Sequence, residues 1–235
     1  MLEVHDTRVV DWDLFQKVVH LPYKFTRTDV PPTETRPEID FAGLYWTHQL
    51  YNYCPVSDPD YFQNAGLDGS DDPMWKDILT YLEATIPSMP SRDNLYSAYI
   101  NVLREGNNPG IHVDAPYFVP DNQTVLLYLN PDWDPEWGGE TIFFDDDLDA
   151  KTLVAPRAGR VVIFDGRIPH TGRPPTPKYN HNRYIMAFKY MNPEEREKLF
   201  VDYELNNKPP VEDRGIAGFD SLTVKEIWRN LDIKR

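Results

Sequence analysis

The feature that most constrains the fold is a series of short strand-forming segments that runs from residue 94 to residue 191. Each segment is rich in β-branched and aromatic residues, and glycine, proline, asparagine or aspartate separates it from the next. The predicted strands cover residues 96–103, 124–130, 140–144, 152–155, 160–165 and 183–191, with a further strand around residues 112–114. Six or seven strands with turns between them predict an antiparallel sandwich or a jelly-roll barrel.

Helical patterns flank this β region on both sides. Asp11 suits the N-cap of a helix over residues 11–20, and Pro73 suits the first turn of a second helix that ends before Pro87. Two more helices are predicted over residues 193–200 and 224–231, and a short strand is expected near residues 43–46.

The 235 residues are expected to form a single domain that is mainly β with flanking helices. Its predicted parts are an N-terminal helical and irregular part over about 1–93, a catalytic core over about 94–191 and a C-terminal extension over about 192–235.

The composition narrows the classes of function. A formal net charge of −14 argues against a general phosphate-binding surface, so no nucleic-acid partner is expected. The single cysteine, Cys54, excludes an internal disulfide and favours a reducing compartment. The first residues resemble no signal peptide, and no apolar run approaches the ~18 residues that a membrane span needs. A cytoplasmic location without membrane contact is therefore expected.

The triplet His112-Val113-Asp114 carries the first sign of chemistry. In a strand, side chains alternate between faces, so His112 and Asp114 are expected side by side with Val113 turned away. An imidazole and a carboxylate held this way supply two of the three ligands of a 2-His-1-carboxylate site for non-haem Fe(II). Such a triplet also occurs by chance, and a third ligand is needed.

His170 is the expected third ligand, since it follows a buried strand and turn over residues 161–166. The chain has six histidines, of which His5 and His20 precede the strand region and His48 lies in an irregular stretch. His181 lies in a polar loop and is expected to be solvated. A simple turn histidine is the alternative interpretation of His170.

The last strand of the series alternates strictly. One face carries bulky apolar groups, and the other carries Arg183 beside Ile185 and Ala187. An arginine on an inward apolar face needs a partner, and its planar fork suits a ligand carboxylate, although a surface acid at the mouth of the strand would also satisfy it. Lys189 shares this face but lies at the far end, where we expect it to be solvated, and Arg173 is expected in a loop.

Together these residues resemble the Fe(II)- and 2-oxoglutarate-dependent dioxygenases, and within them the prolyl 4-hydroxylase-like group. The resemblance rests on His112-Val113-Asp114, the distal His170, Arg183 at the start of the next strand, and the stretches Thr124–Asp134 and Gly138–Phe144. It covers roughly residues 96–190.

This resemblance implies a double-stranded β-helix (jelly-roll) core and a set of site residues. His112, Asp114 and His170 would bind Fe(II), Arg183 would anchor the distal carboxylate of 2-oxoglutarate, and Tyr128 would add a hydroxyl to it. Many prolyl hydroxylases have a tyrosine where this chain has Leu103. Asn101 and Tyr99, on the same strand face, are candidates to serve in its place.

The implied reaction uses O2 and 2-oxoglutarate, releases succinate and CO2, and hydroxylates an unactivated C–H bond, with ascorbate as a candidate reductant. Desaturation or ring formation is an alternative outcome. The substrate is expected to be peptidyl proline, a free amino acid, a protein side chain or another small molecule. Aromatic residues near the site are candidates for the substrate entrance or for turn packing, namely Tyr117, Phe118, Trp133 and Trp137.

Two rival interpretations use the same residues. A Zn(II) hydrolase on a jelly roll would share the ligand set but would need neither O2 nor an inward arginine. A non-catalytic binding module would keep the barrel for its surface alone.

Overall fold

The structure is a computed structural model that describes residues 1–27, 44–52, 73–107, 109–115, 121–195 and 222–223. Two α-helices lie in these ranges, α1 (Trp12–Val19) and α2 (Met74–Thr85). The first six strands are β1 (Leu2–Asp6), β2 (Lys24–Arg27), β3 (Leu44–Asn52), β4 (Leu95–Leu103), β5 (His112–Val113) and β6 (Gln123–Tyr128). The other six are β7 (Thr141–Phe144), β8 (Ala150–Val154), β9 (Arg160–Asp165), β10 (His170–Gly172), β11 (Arg183–Tyr190) and β12 (Leu222–Thr223).

The strands form two antiparallel sheets. The larger sheet has seven strands in the order β1-β9-β6-β11-β4-β3-β2, and the smaller has five in the order β12-β5-β10-β7-β8. Strands far apart in sequence are neighbours in both sheets, as in a Greek-key arrangement. The predicted jelly-roll core with flanking helices is therefore confirmed.

The central strands of the large sheet, β9, β6, β11 and β4, are buried on both faces because their side chains alternate between two apolar clusters. One cluster lies against the helices, where α2 buries the stripe Trp75, Ile78, Leu79 and Leu82. The second cluster joins residues of both sheets and consists of Tyr99, Leu126, Tyr128, Phe143, Val154, Val162, Phe164, Ile185 and Ala187. The side of the large sheet that carries the second cluster is its inner face, and the polar residues of the site lie on this side.

Most predicted elements agree with the structure to within a few residues. Strand β9 has the predicted bounds, and Asp11 caps α1 by accepting a hydrogen bond from the Leu14 backbone N–H at 2.8 Å. Strand β3 extends the short strand expected near residues 43–46. Strand β1 was missed, although it pairs with β9 along its whole length. The predicted strand around residues 112–114 contains only two residues, so Asp114 follows β5 instead of lying in it.

Some predictions lie wholly or partly outside the described residues. Residues 193–195 are helical, and the rest of the helix predicted to residue 200 lies outside them. The helix predicted over residues 224–231 and the aromatic pair Tyr117 and Phe118 also lie outside. The division of the chain into three parts of one domain stays a prediction. Among the described residues, no helix is long and apolar enough to cross a membrane.

Candidate metal centre

Two imidazoles and one carboxylate meet between β5 and β10. Ligand atoms of His112, Asp114 and His170 all lie within 4.8 Å of one another. His112 Nε2 is 3.7 Å from Asp114 Oδ1, and His170 Nε2 is 3.4 Å from Asp114 Oδ2. The expectation that His112 and Asp114 lie side by side is thus confirmed, and His170 joins them.

Sheet pairing brings these three residues together. His112 and His170 are direct partners in the antiparallel pair of β5 and β10, with ring centroids 4.4 Å apart. The alternative of a turn histidine is wrong, because His170 begins a strand. Asp114 is held just beyond β5 by its backbone N–H, which donates to the Gly166 carbonyl at 2.7 Å.

The second nitrogen of each imidazole fixes the tautomer. His112 Nδ1 donates to the Gly110 carbonyl at 3.0 Å, and His170 Nδ1 donates to the Ile168 carbonyl at 2.9 Å. A carbonyl oxygen can only accept, so each Nδ1 carries a proton, and Nε2 is the nitrogen left to bind a metal. Outer hydrogen bonds of this kind orient histidine ligands in metal sites.

The protonation states also suit a cation. Burial lowers the pKa of His170 to about 3, so the imidazole is neutral at physiological pH. Burial alone would raise the pKa of the Asp114 carboxyl, but the neighbouring Lys189 ammonium holds that pKa well below its usual range. Two neutral imidazoles and one carboxylate form the donor set that Fe(II) takes in facial-triad sites. The residues present therefore fit iron.

Access to this cluster is uneven. The side chain of His112 is 27% exposed, whereas those of His170 and Asp114 are 5% and 3% exposed. A small molecule would therefore approach from the His112 side.

Lys189 contradicts the expectation of a solvated lysine. Its side chain is only 2% exposed, and its Nζ lies 2.5 Å from Asp114 Oδ2. Thr124, its partner residue on β6, donates a hydrogen bond to the same oxygen at 2.7 Å. The inner face of β11 ends at the cluster of His112, Asp114 and His170 and not in solvent, which is why Lys189 is buried there.

Arg183 is buried at the other end of the same face. Its Nε donates to the Gly139 carbonyl at 2.6 Å, and an amino group donates to Thr141 Oγ1 at 3.0 Å. The Tyr128 hydroxyl bonds the same Thr141 oxygen at 2.7 Å, and the Arg183 guanidinium carbon lies 5.4 Å from the centre of the Tyr128 ring. Among the described residues no carboxylate forms an ion pair with Arg183. Burial lowers the pKa of its guanidinium, although the nearby Glu140 carboxylate acts against this shift.

The two cations define the long axis of the inner face. Arg183 and Lys189 are six residues apart on β11, which corresponds to roughly 20 Å of strand. The long side chains of Arg183 and Lys189 make the distance between their charged groups differ from this backbone distance. On the same face, between the two cations, lie Ile185 and Ala187, which are buried and apolar.

The candidates Tyr99 and Asn101 lie on this face as well. They pair with Ala187 and Ile185 across β4 and β11. The Lys189 ammonium lies 5.8 Å from the centre of the Tyr99 ring. Asn101 Oδ1 is buried and has no hydrogen-bond partner among the described residues.

The aromatic candidates Trp133 and Trp137 pack in a turn next to Arg183. Trp137 stacks on Tyr179 with ring centroids 4.3 Å apart, and Trp133 donates to the Gly138 carbonyl at 2.9 Å. These contacts support turn packing for both tryptophans. Arg173 is exposed, as expected of a loop residue.

Sequence reasoning missed three polar residues of this face, Thr124, Thr141 and Lys189. Both threonines lie within the quoted stretches but were not singled out, because threonine is common in strands. The alternation of side chains along a strand could have indicated two of them, because Thr124 shares a strand face with Tyr128 and Lys189 shares one with Arg183.

A 2-His-1-carboxylate cluster is typical of non-haem Fe(II) oxygenases. Comparison with known proteins agrees with this class. Residues 97–191 match the family model described as the 2OG-Fe(II) oxygenase superfamily. The matched segment contains His112, Asp114, His170 and Arg183, and the cofactors of the matched family are Fe(II), 2-oxoglutarate and O2. The resemblance found in the sequence is thereby confirmed.

Solved structures support the fold. A prolyl hydroxylase from Trichoplax adhaerens, in complex with a hypoxia inducible factor oxygen degradation domain peptide fragment, is 17% identical with a TM-score of 0.53, over 84% of this chain and 86% of that chain. A 2OG-Fe(II) oxygenase family oxidoreductase from Burkholderia pseudomallei is 15% identical with a TM-score of 0.52, over 81% and 85% of the two chains. A search of curated protein sequences gave no match.

Gly166 offers a test of how Asp114 is held. A Cβ on Gly166 would lie 2.2 Å from Oδ1 of the buried Asn122, so Gly166→Ala must displace Asn122 or the Gly166 backbone, whose carbonyl holds the Asp114 N–H. We expect the affinity for Mn(II), measured by calorimetry, to fall about 10- to 100-fold, as for other changes around metal ligands. Gly110→Ala is the matched control because a Cβ there meets open space. Equal affinities in the two variants would contradict this role of Gly166.

Proposed function

We propose that the protein is an Fe(II)- and 2-oxoglutarate-dependent dioxygenase that hydroxylates an unactivated C–H bond and releases succinate and CO2. The observation that carries the proposal is the cluster of His112, Asp114 and His170 within 4.8 Å, with Arg183 buried on the same inner face. A zinc hydrolase would explain the cluster but not the buried arginine.

In this proposal His112, Asp114 and His170 hold the iron. The two Nε2 lone pairs and the Asp114 carboxylate converge from one side, which leaves the exposed side of His112 for co-substrate and substrate. Bound in this way, Fe(II) supplies the activation of O2 that side chains cannot provide. The protein supplies fixed ligands and their orientation.

Arg183 would bind the distal carboxylate of 2-oxoglutarate. Two of its nitrogens are already fixed by Gly139 and Thr141, so the guanidinium is oriented before the ligand arrives. Thr141 connects Arg183 to the Tyr128 hydroxyl, and Tyr128 would add a hydrogen bond to the same carboxylate. The buried side chains of Ile185 and Ala187 would keep water from the chain of methylenes between the two ends of the ligand.

Asn101 and Tyr99 are the proposed contacts to the remainder of the co-substrate. Tyr99 pairs with Ala187 and Asn101 pairs with Ile185, so both lie on the inner face between the proposed metal ligands and Arg183. The unpaired buried oxygen of Asn101 supports a polar ligand group nearby, since buried polar atoms are rarely left without a partner.

For the primary substrate we propose a peptide or a small molecule, with peptidyl proline and free amino acids as the first candidates. The net charge of −14 favours neutral or cationic substrates through long-range attraction, which salt screens. Hydroxylation is proposed and not halogenation, because the Asp114 carboxylate occupies the position that a halide would need.

A screen for succinate release tests this function. Proline-rich peptides, free amino acids and small metabolites are incubated with the protein, Fe(II), 2-oxoglutarate and O2. We expect one class to raise succinate release above the substrate-free rate, together with a product heavier by one oxygen atom. Turnover that continues without O2, or a product formed without 2-oxoglutarate, would contradict the proposal.

A further inference from the structure

The two carboxylate oxygens of Asp114 have different surroundings. Oδ2 accepts a hydrogen bond from the Thr124 hydroxyl at 2.7 Å and lies 2.5 Å from the Lys189 ammonium. Oδ1 lies 3.7 Å from His112 Nε2, and Oδ2 lies 3.4 Å from His170 Nε2. No described residue donates a hydrogen bond to Oδ1. A carboxylate oxygen has two lone pairs in the carboxyl plane, so Thr124 and Lys189 together occupy those of Oδ2.

The neighbours of Lys189 on its own strand face are apolar. Lys189 continues a strand face whose preceding inner residues, Ile185 and Ala187, are apolar and buried. Replacing a buried ion pair by apolar side chains of similar size is often neutral or stabilising. Methionine at this position alone would leave the buried Asp114 carboxylate without its cation, so the charge of Lys189 acts directly on a residue of the metal site.

We propose that Lys189 is a positioning residue that, with Thr124, reserves Oδ2 so that Asp114 binds the metal through Oδ1 alone. This inference rests on the proposed metal site. A carboxylate that bound through both oxygens would occupy one of the three positions that 2-oxoglutarate and O2 need together. Lys189 would thus keep one coordination position of the metal available.

The number of water molecules on a bound metal tests the proposal without any turnover. Mn(II) prefers six ligands, and its EPR lines broaden in ¹⁷O-enriched water in proportion to the waters bound to it. Two histidines, one Asp114 oxygen and two 2-oxoglutarate atoms leave room for one water. We therefore expect one water in the wild-type complex with Mn(II) and 2-oxoglutarate.

Variants at Lys189 separate charge from shape. Lys189→Met removes the ammonium and keeps the length, so Oδ2 is free to bind the metal and the water should be lost. Lys189→Arg keeps a cationic donor and should retain the water. One water in Lys189→Met would overturn the proposal.

The wild-type measurement keeps the test decisive if Lys189→Met does not fold, as circular dichroism would show. No water in the wild-type complex would mean that Asp114 already binds through both oxygens, which overturns the role of Lys189 and leaves the metal site intact. No Mn(II) binding by the wild-type protein would instead overturn the metal site itself.

Discussion

Replacing His170 by alanine should abolish iron binding and substrate-triggered succinate formation. The imidazole is buried and neutral, with Nε2 3.4 Å from Asp114 Oδ2, and among the described residues His112 is the one other histidine in the cluster. Because His170 is neutral, its removal leaves no buried charge without a partner, and the variant should stay folded. Iron content after desalting and succinate release are the two measurements. Wild-type turnover in this variant would contradict the metal assignment.

Asp114→Ala should have the same effect on activity and an added effect on stability. It removes the anion beside the buried Lys189, and an uncompensated buried charge typically costs about 3–5 kcal/mol of unfolding free energy. The double variant Asp114→Ala with Lys189→Met removes both charges. It should recover most of the stability in a denaturant titration and none of the iron binding, which separates the loss of a ligand from the loss of fold.

Arg183→Ala should raise the KM for 2-oxoglutarate by about 30-fold to a few thousand-fold. Removing one partner of a buried charge pair costs about 2–5 kcal/mol, and each 1.4 kcal/mol is about tenfold in affinity. Arg183→Lys keeps the charge but loses the fork, so its effect should be smaller. The measurement is the KM for 2-oxoglutarate at saturating Fe(II).

Arg173→Ala is the matched control for this prediction. Arg173 is exposed and lies in the adjoining loop, so its removal should leave the KM for 2-oxoglutarate unchanged. An unaltered KM in Arg183→Ala would mean that the anchor lies elsewhere. Lys189 is a poor substitute because it is already paired with Asp114 at the opposite end of the face.

The sequence was informative where a local pattern sets the structure. Strict alternation along β11 predicted that Arg183 faces inward, and the structure buries it. Turn residues between apolar runs predicted most strands of the jelly roll. The bounds of β5 were wrong because a two-residue strand pairs too briefly to leave an alternating pattern.

The sequence was uninformative where a residue's partner lies far away along the chain. Lys189 is at the end of its strand, where a solvated ammonium is the usual outcome, but its partner Asp114 lies 75 residues earlier. Only the stacking of the smaller sheet on the larger one brings the two together. The shared hydrogen bonds of Thr141 with Arg183 and Tyr128 depend on the same stacking.

The central claim is that one site binds both Fe(II) and 2-oxoglutarate. An anaerobic titration of the protein with the two, followed by absorption, tests it most directly. We expect a weak visible charge-transfer band that requires both additions, saturates at one Fe(II) per chain and is absent from His170→Ala. If the protein binds the metal but never develops this band with 2-oxoglutarate, the site does not take the co-substrate and the account is contradicted.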